Sequence, residues 1–85
     1  MGWYINPRSS TKEDWLAEHG TPTRGPTEIT ETHLPVCLVN NGYFTAAVIC
    51  PDERELIEFG RDDNRPKVWF SVPRQTLIEH HFFQE

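Results

Sequence analysis

Residues 35–51, PVCLVNNGYFTAAVICP, are the most apolar run of this chain, and they carry Asn41-Gly42 near their middle. Asn-Gly accepts the positive φ angles of a two-residue type I′ turn, so the stretch reads as a β-hairpin. With Asn41 and Gly42 as the turn, Asn40 faces Tyr43, Val39 faces Phe44, Leu38 faces Thr45, Cys37 faces Ala46 and Val36 faces Ala47. Alternation then puts Val36, Leu38, Thr45, Ala47 and Ile49 on one face. Cys37, Val39, Phe44, Ala46 and Val48 fall on the other. Neither face is polar, which is the pattern of central strands covered on both sides. The small Ala46 and Ala47 let a helix come close.

The flanking sequence supplies the cover. Trp3-Tyr4-Ile5, stopped by Pro7, is a short β-prone run that can add a strand. Ser10 to Glu13 matches a capping box with Ser10 as N-cap, followed by a short helix carrying Trp15 and Leu16 and closed by Gly20 at C′. Residues 21–32, TPTRGPTEITET, read as an exposed loop with Ile29 as its anchor. At roughly a dozen residues it is long for a small domain and is a candidate binding surface. Asp52 caps a second helix with acidic residues in its first turn, Leu56, Ile57 and Phe59 on one side and Gly60 as the stop. Residues 61–66 form a polar turn, Lys67 to Val72 a strand, and Pro73 opens a last helix with Leu77 and Ile78. The reading is one α+β domain over residues 1–85, with a small mixed or antiparallel sheet built on the central hairpin, in the order β-α-β-β-α-β-α.

Eighty-five residues bury a modest core. Three Trp, two Tyr and five Phe enlarge it, and some of them are interface candidates. A net charge of −5 and a pI near 5.3 argue against nucleic-acid binding through a basic patch. The first residues lack the apolar stretch of a signal peptide, and no run approaches the roughly 18 residues of a membrane helix. Two cysteines that do not face each other in this register read as buried thiols of a cytosolic protein rather than a disulfide.

Chemistry-bearing residues are few. Cys50 ends a strand just before the Asp52 helix, and His33 lies opposite it in the register above. That makes a thiol-imidazole pair the catalytic candidate, opposed by the nearby Asp52 and Glu53. Arg61 and Arg65 bracket a turn that either grips an anion or closes on its own carboxylates. His80 and His81 are adjacent and point about 100° apart on a helix, so they make no metal pair. There is no HExxH or zinc-type Cys/His spacing, and no cofactor is expected. Phe82 and Phe83 at a chain end imply docking on this chain or on another copy. Interface candidates are Trp3, Tyr4, Asn41, Tyr43, Arg61, Arg65, Phe82 and Phe83.

Several segments together resemble a group of small uncharacterised accessory proteins of tailed bacteriophages. They are Met1-Gly2-Trp3-Tyr4-Ile5, Lys12 to Leu16 with His19-Gly20, Val36 to Gly42 with Phe44 to Ala47, and Arg65 to Phe70. The resemblance carries no catalytic motif. It implies a bacterial host cytoplasm and action by binding a host protein. The expectation is therefore a non-catalytic binder, with the long loop and the hairpin end as contacts. The alternatives are a small enzyme or ligand-binding protein using Cys50, His33 and the Arg61/Arg65 turn, and a homo-oligomeric module assembled through Phe82 and Phe83. Direct nucleic-acid binding and membrane association are not expected.

Overall fold

A computed structural model describes residues 3–40, 42–61 and 64–84. Five antiparallel strands form one sheet in the order β1-β4-β3-β5-β2. They are β1 (Trp3–Tyr4), β2 (Thr21–Thr23), β3 (His33–Asn40), β4 (Thr45–Ile49) and β5 (Lys67–Pro73). The helices are α1 (Lys12–His19), α2 (Glu53–Glu55), which runs on as a π-helical segment (Leu56–Arg61), and α3 (Arg74–Glu79). This is the expected α+β class, with the β3-β4 hairpin at the centre of the sheet.

The hairpin register differs from the sequence expectation. Asn40 pairs with Thr45, Val39 with Ala46, Leu38 with Ala47, Cys37 with Val48 and Val36 with Ile49. The Asn40 side chain explains the longer loop. Its Oδ1 accepts from the Gly42 amide at 2.8 Å, an Asx-type closure that Gly42 permits at φ 92°. Asn41 itself lies outside the described residues. The displacement is two positions, so every side chain keeps its face. Val36, Leu38, Ala47 and Ile49 enter one core cluster; Cys37, Val39 and Val48 enter the other. Pro35 marks where the β3-β4 ladder stops, since its carbonyl accepts from Cys50 but it has no amide to return the bond.

The larger core lies between the sheet and α1 and α3. Ile5, Trp15, Leu16, Leu34, Val36, Ile49, Phe70, Val72, Leu77 and Phe83 meet there. On the opposite face Cys37, Val39, Val48, Cys50 and Trp69 are covered by Leu56, with Phe59 packed beside them. α2 and its π-helical extension are the helical cover on this side, as expected for the segment after Asp52. Asp52 is the N-cap, its carboxylate accepting from the Glu55 amide at 2.9 Å.

Four local expectations are corrected. The N-cap of α1 is Thr11, one residue after Ser10, with its hydroxyl accepting from the Asp14 amide at 3.1 Å. Gly20 is extended, at φ −113°, rather than left-handed. It is glycine because a Cβ would stand 2.9 Å from Val72 Cγ2. Gly60 does not stop its helix, which continues to Arg61; the indole of Trp69 presses on it instead. Finally, Thr21-Pro22-Thr23 is a strand, not the start of the loop, pairing with Ser71, Phe70 and Trp69. Proline fits there because β2 is an edge strand, and the two threonines are β-branched.

The end of α3 closes in a Schellman turn. His81 at C′ has φ 62°, its amide bonds the Ile78 carbonyl, and the Phe82 amide bonds the Leu77 carbonyl at 2.9 Å. The turn sends Phe82 and Phe83 back onto the protein. Phe83 is buried edge-on against Trp3, with ring centroids 5.4 Å apart, and Phe82 meets Trp15 edge-on at 5.3 Å. The chain-end aromatics therefore dock on this chain.

Candidate functional site

The two faces of the sheet are not equally covered. α1 and α3 close the first, whereas on the second two aromatics beside the buried strands, Tyr4 of β1 and Phe44 at the hairpin end, stand exposed. There Val39, Ala46 and Val48 form the floor of a shallow cavity of about 130 Å³, bounded by Tyr4, Phe44, Phe59 and Arg65. Register and alternation build it: Tyr4 pairs with Val48, and Phe44 precedes Ala46 by two residues, so all three share a face. Tyr4 is 50% exposed and Phe44 62%. Tyr43, next in the hairpin loop, is 97% exposed. An apolar floor ringed by aromatics with an arginine at the edge has the composition of a protein-binding hot spot.

The sequence-derived candidates divide accordingly. Tyr4 and Arg65 border this cavity, and Tyr43 precedes its Phe44 in the hairpin loop. Trp3, Phe82 and Phe83 pack against the larger core. Arg61 lies at the end of the π-helical segment, where its Nη1 is 2.7 Å from Glu53 Oε1. Asn41 lies outside the described residues. Phe44 and Phe59 were missed as surface residues: a two-residue turn would have paired Phe44 with Val39 inside the sheet. Alternation already placed Phe44 on the Val39–Val48 face, and only the loop length hid its exposure.

The thiol-imidazole pair is not assembled as expected. The two-residue displacement puts Pro35, not His33, opposite Cys50. His33 sits at the start of β3 with Nδ1 2.8 Å from the Thr32 hydroxyl. Cys50 and Cys37 are both fully buried, and neither is in a disulfide. The two residues are diagonal neighbours on one face, because Cys37 pairs with Val48. A hydrogen bond to Cys37, burial, and the nearby Cys37, Glu55 and Asp52 all push the Cys50 thiol far above its ordinary pKa. Each of these effects disfavours the thiolate that a nucleophile needs. Burial and then the Asp52 charge likewise raise the carboxyl of Glu55.

A second concave region lies on the α1/α3 side. It is a cleft of about 440 Å³ between residues 6–10 and a cluster of Trp15, His19, His80 and Phe82. Among the described residues, no group of three or more His, Cys, Asp and Glu side chains converges as a metal cage.

These features define an α+β protein whose antiparallel sheet is packed on both faces and carries exposed aromatics, Tyr4 and Phe44, at the margin of the second. Comparison of the chain with protein-family models, curated proteins and solved structures gave no match. Among the described residues, no helix is long and apolar enough to cross a membrane.

Proposed function

We propose that this protein is a non-catalytic binding module that docks another protein on the sheet face bordered by Tyr4, Phe44, Phe59 and Arg65. In the setting that the bacteriophage resemblance implies, the partner is a host protein in the bacterial cytoplasm. The observation that carries the reading is the exposure of Phe44 and Tyr4 at the rim of a shallow apolar cavity lined by Val39, Ala46 and Val48. Water contact at such a patch is unfavourable by about 25 cal/mol for each Å² of apolar area, and a partner removes that penalty. Arg65 lines the same cavity and puts a positive charge at its margin. The buried, protonated Cys50 weighs against a thiol enzyme.

The test is affinity capture from bacterial lysate, with wild type, Tyr4→Ala and Phe44→Ala compared by mass spectrometry. One dominant protein at near-stoichiometric yield is expected with wild type, and each variant should lose it while keeping its circular dichroism spectrum. Equal capture by both variants removes this face from the interface. Absence of any specific protein with folded wild type removes the binding reading.

A further inference from the structure

The cleft on the α1/α3 side brings together two histidines that are 61 positions apart in sequence. His19 lies in the last turn of α1 and His80 is the C-cap of α3. Their ring centroids are 5.1 Å apart, with the planes 58° from each other. Metal–nitrogen bonds of about 2.0–2.1 Å in a tetrahedral arrangement put two imidazole centroids roughly 5 Å apart, so the centroid spacing matches what two imidazoles on one ion require.

The surroundings hold both rings. Trp15 contacts His19 at 4.5 Å and His80 at 5.3 Å, and Phe82 stacks on His80 at 11°. Glu18 Oε2 is 4.0 Å from His19 Nε2, which places a carboxylate beside one donor. Arg8 shares the cleft and limits the net negative charge there.

We propose that His19 and His80 bind a divalent transition-metal ion of the kind that prefers imidazole: nickel, copper or zinc. With two protein donors and water completing the coordination, the ion exchanges readily and ties the end of α1 to the end of α3. Aromatic packing alone would produce the same ring cluster without metal affinity, and the two explanations differ in a direct titration. This inference is independent of the sheet-face docking proposed above.

The experiment uses the full chain without an affinity tag, titrated with nickel chloride and read by tryptophan fluorescence, because Trp15 touches both rings. Saturable quenching is expected. His19→Gln and His80→Gln should each raise the half-saturation concentration tenfold or more, while His81→Asn leaves it unchanged. Unsaturable or absent quenching up to millimolar nickel overturns the proposal, as does unchanged affinity in either glutamine variant. Amide NMR of the wild type gives a reading that does not depend on variant folding. Nickel should first broaden resonances around Trp15, His19 and His80, and broadening centred elsewhere also overturns it.

Discussion

Replacing Gly60 by alanine tests the packing of the smaller core through the sign of the effect. In an unobstructed helical position, Gly→Ala stabilises by up to about 1 kcal/mol, because alanine has the higher helix propensity. At Gly60 the new Cβ would stand 2.5 Å from Trp69 Cη2, 3.0 Å from Cζ2 and 3.2 Å from Leu56 Cδ1. The indole cannot simply swing away. Trp69 is 6% exposed, and its strand is hydrogen-bonded to β3 on one side and β2 on the other. Overpacking of this kind costs about 1–3 kcal/mol, and the close contact to a rigid buried ring places Gly60→Ala in the upper part of that range. After the propensity gain, the net is a destabilisation of about 1–2 kcal/mol. Urea denaturation followed by far-ultraviolet circular dichroism measures it as a midpoint reduced by roughly 0.5–1.5 M at unchanged slope. Gly25→Ala is the control: nothing lies within 4 Å of its Cβ, so the change should stay within about 0.5 kcal/mol. Adding Trp69→Phe should shrink the cost of Gly60→Ala, because the smaller ring withdraws the clashing atoms. A Gly60→Ala protein as stable as wild type, or more so, would refute the contact between the π-helical segment and Trp69.

Two other substitutions probe features of the same scaffold. His81→Gly should stabilise by about 0.5–1 kcal/mol, since glycine removes the left-handed strain of a β-carbon at C′ and gives back part of the gain as unfolded-chain entropy; an unchanged or lower melting temperature contradicts the Schellman assignment. Glu55→Gln should stabilise at neutral pH, because a carboxyl whose folded pKa is raised favours the native state fully below its unfolded pKa and loses that contribution as pH rises through the folded value. Its advantage should therefore vanish on acidification through the ordinary carboxylate range, and a benefit independent of pH would point to another cause.

What the sequence revealed follows from which features are local. The faces of the hairpin were legible because side-chain alternation survives a slip of two residues. The register was not, because the Asn40 side chain closes on the Gly42 amide and the paired strands begin only at Asn40 and Thr45. Asp52 was legible as a cap, whereas Ser10 and Thr11 are both competent caps and only backbone geometry chooses between them. β2 was illegible since Thr-Pro-Thr has loop composition and becomes a strand only by lying along β5. The roles of Gly20 and Gly60 depend on side chains that arrive from β5, far along the chain. Of the candidate contact surface, Tyr4, Tyr43 and Arg65 could be named from residue type alone. Phe44 and Phe59 required knowing where the helical layer ends, and the meeting of His19 with His80 required knowing that α1 and α3 pack on one face.

The sheet margins bear on how this protein survives at high concentration. A bare apolar face beside an open strand is the usual template for runaway stacking of chains, because a neighbour's backbone can zip onto the unpaired amides and bury the patch at once. Here β1 is two residues long and ends near Pro7, and β2 is three residues long with Pro22 at its centre. At about 3.3 Å per residue, neither margin, over the described residues, offers a long stretch of strand backbone to an incoming chain. The protein can thus expose Phe44 and Tyr4 to solvent while denying aggregating chains a foothold.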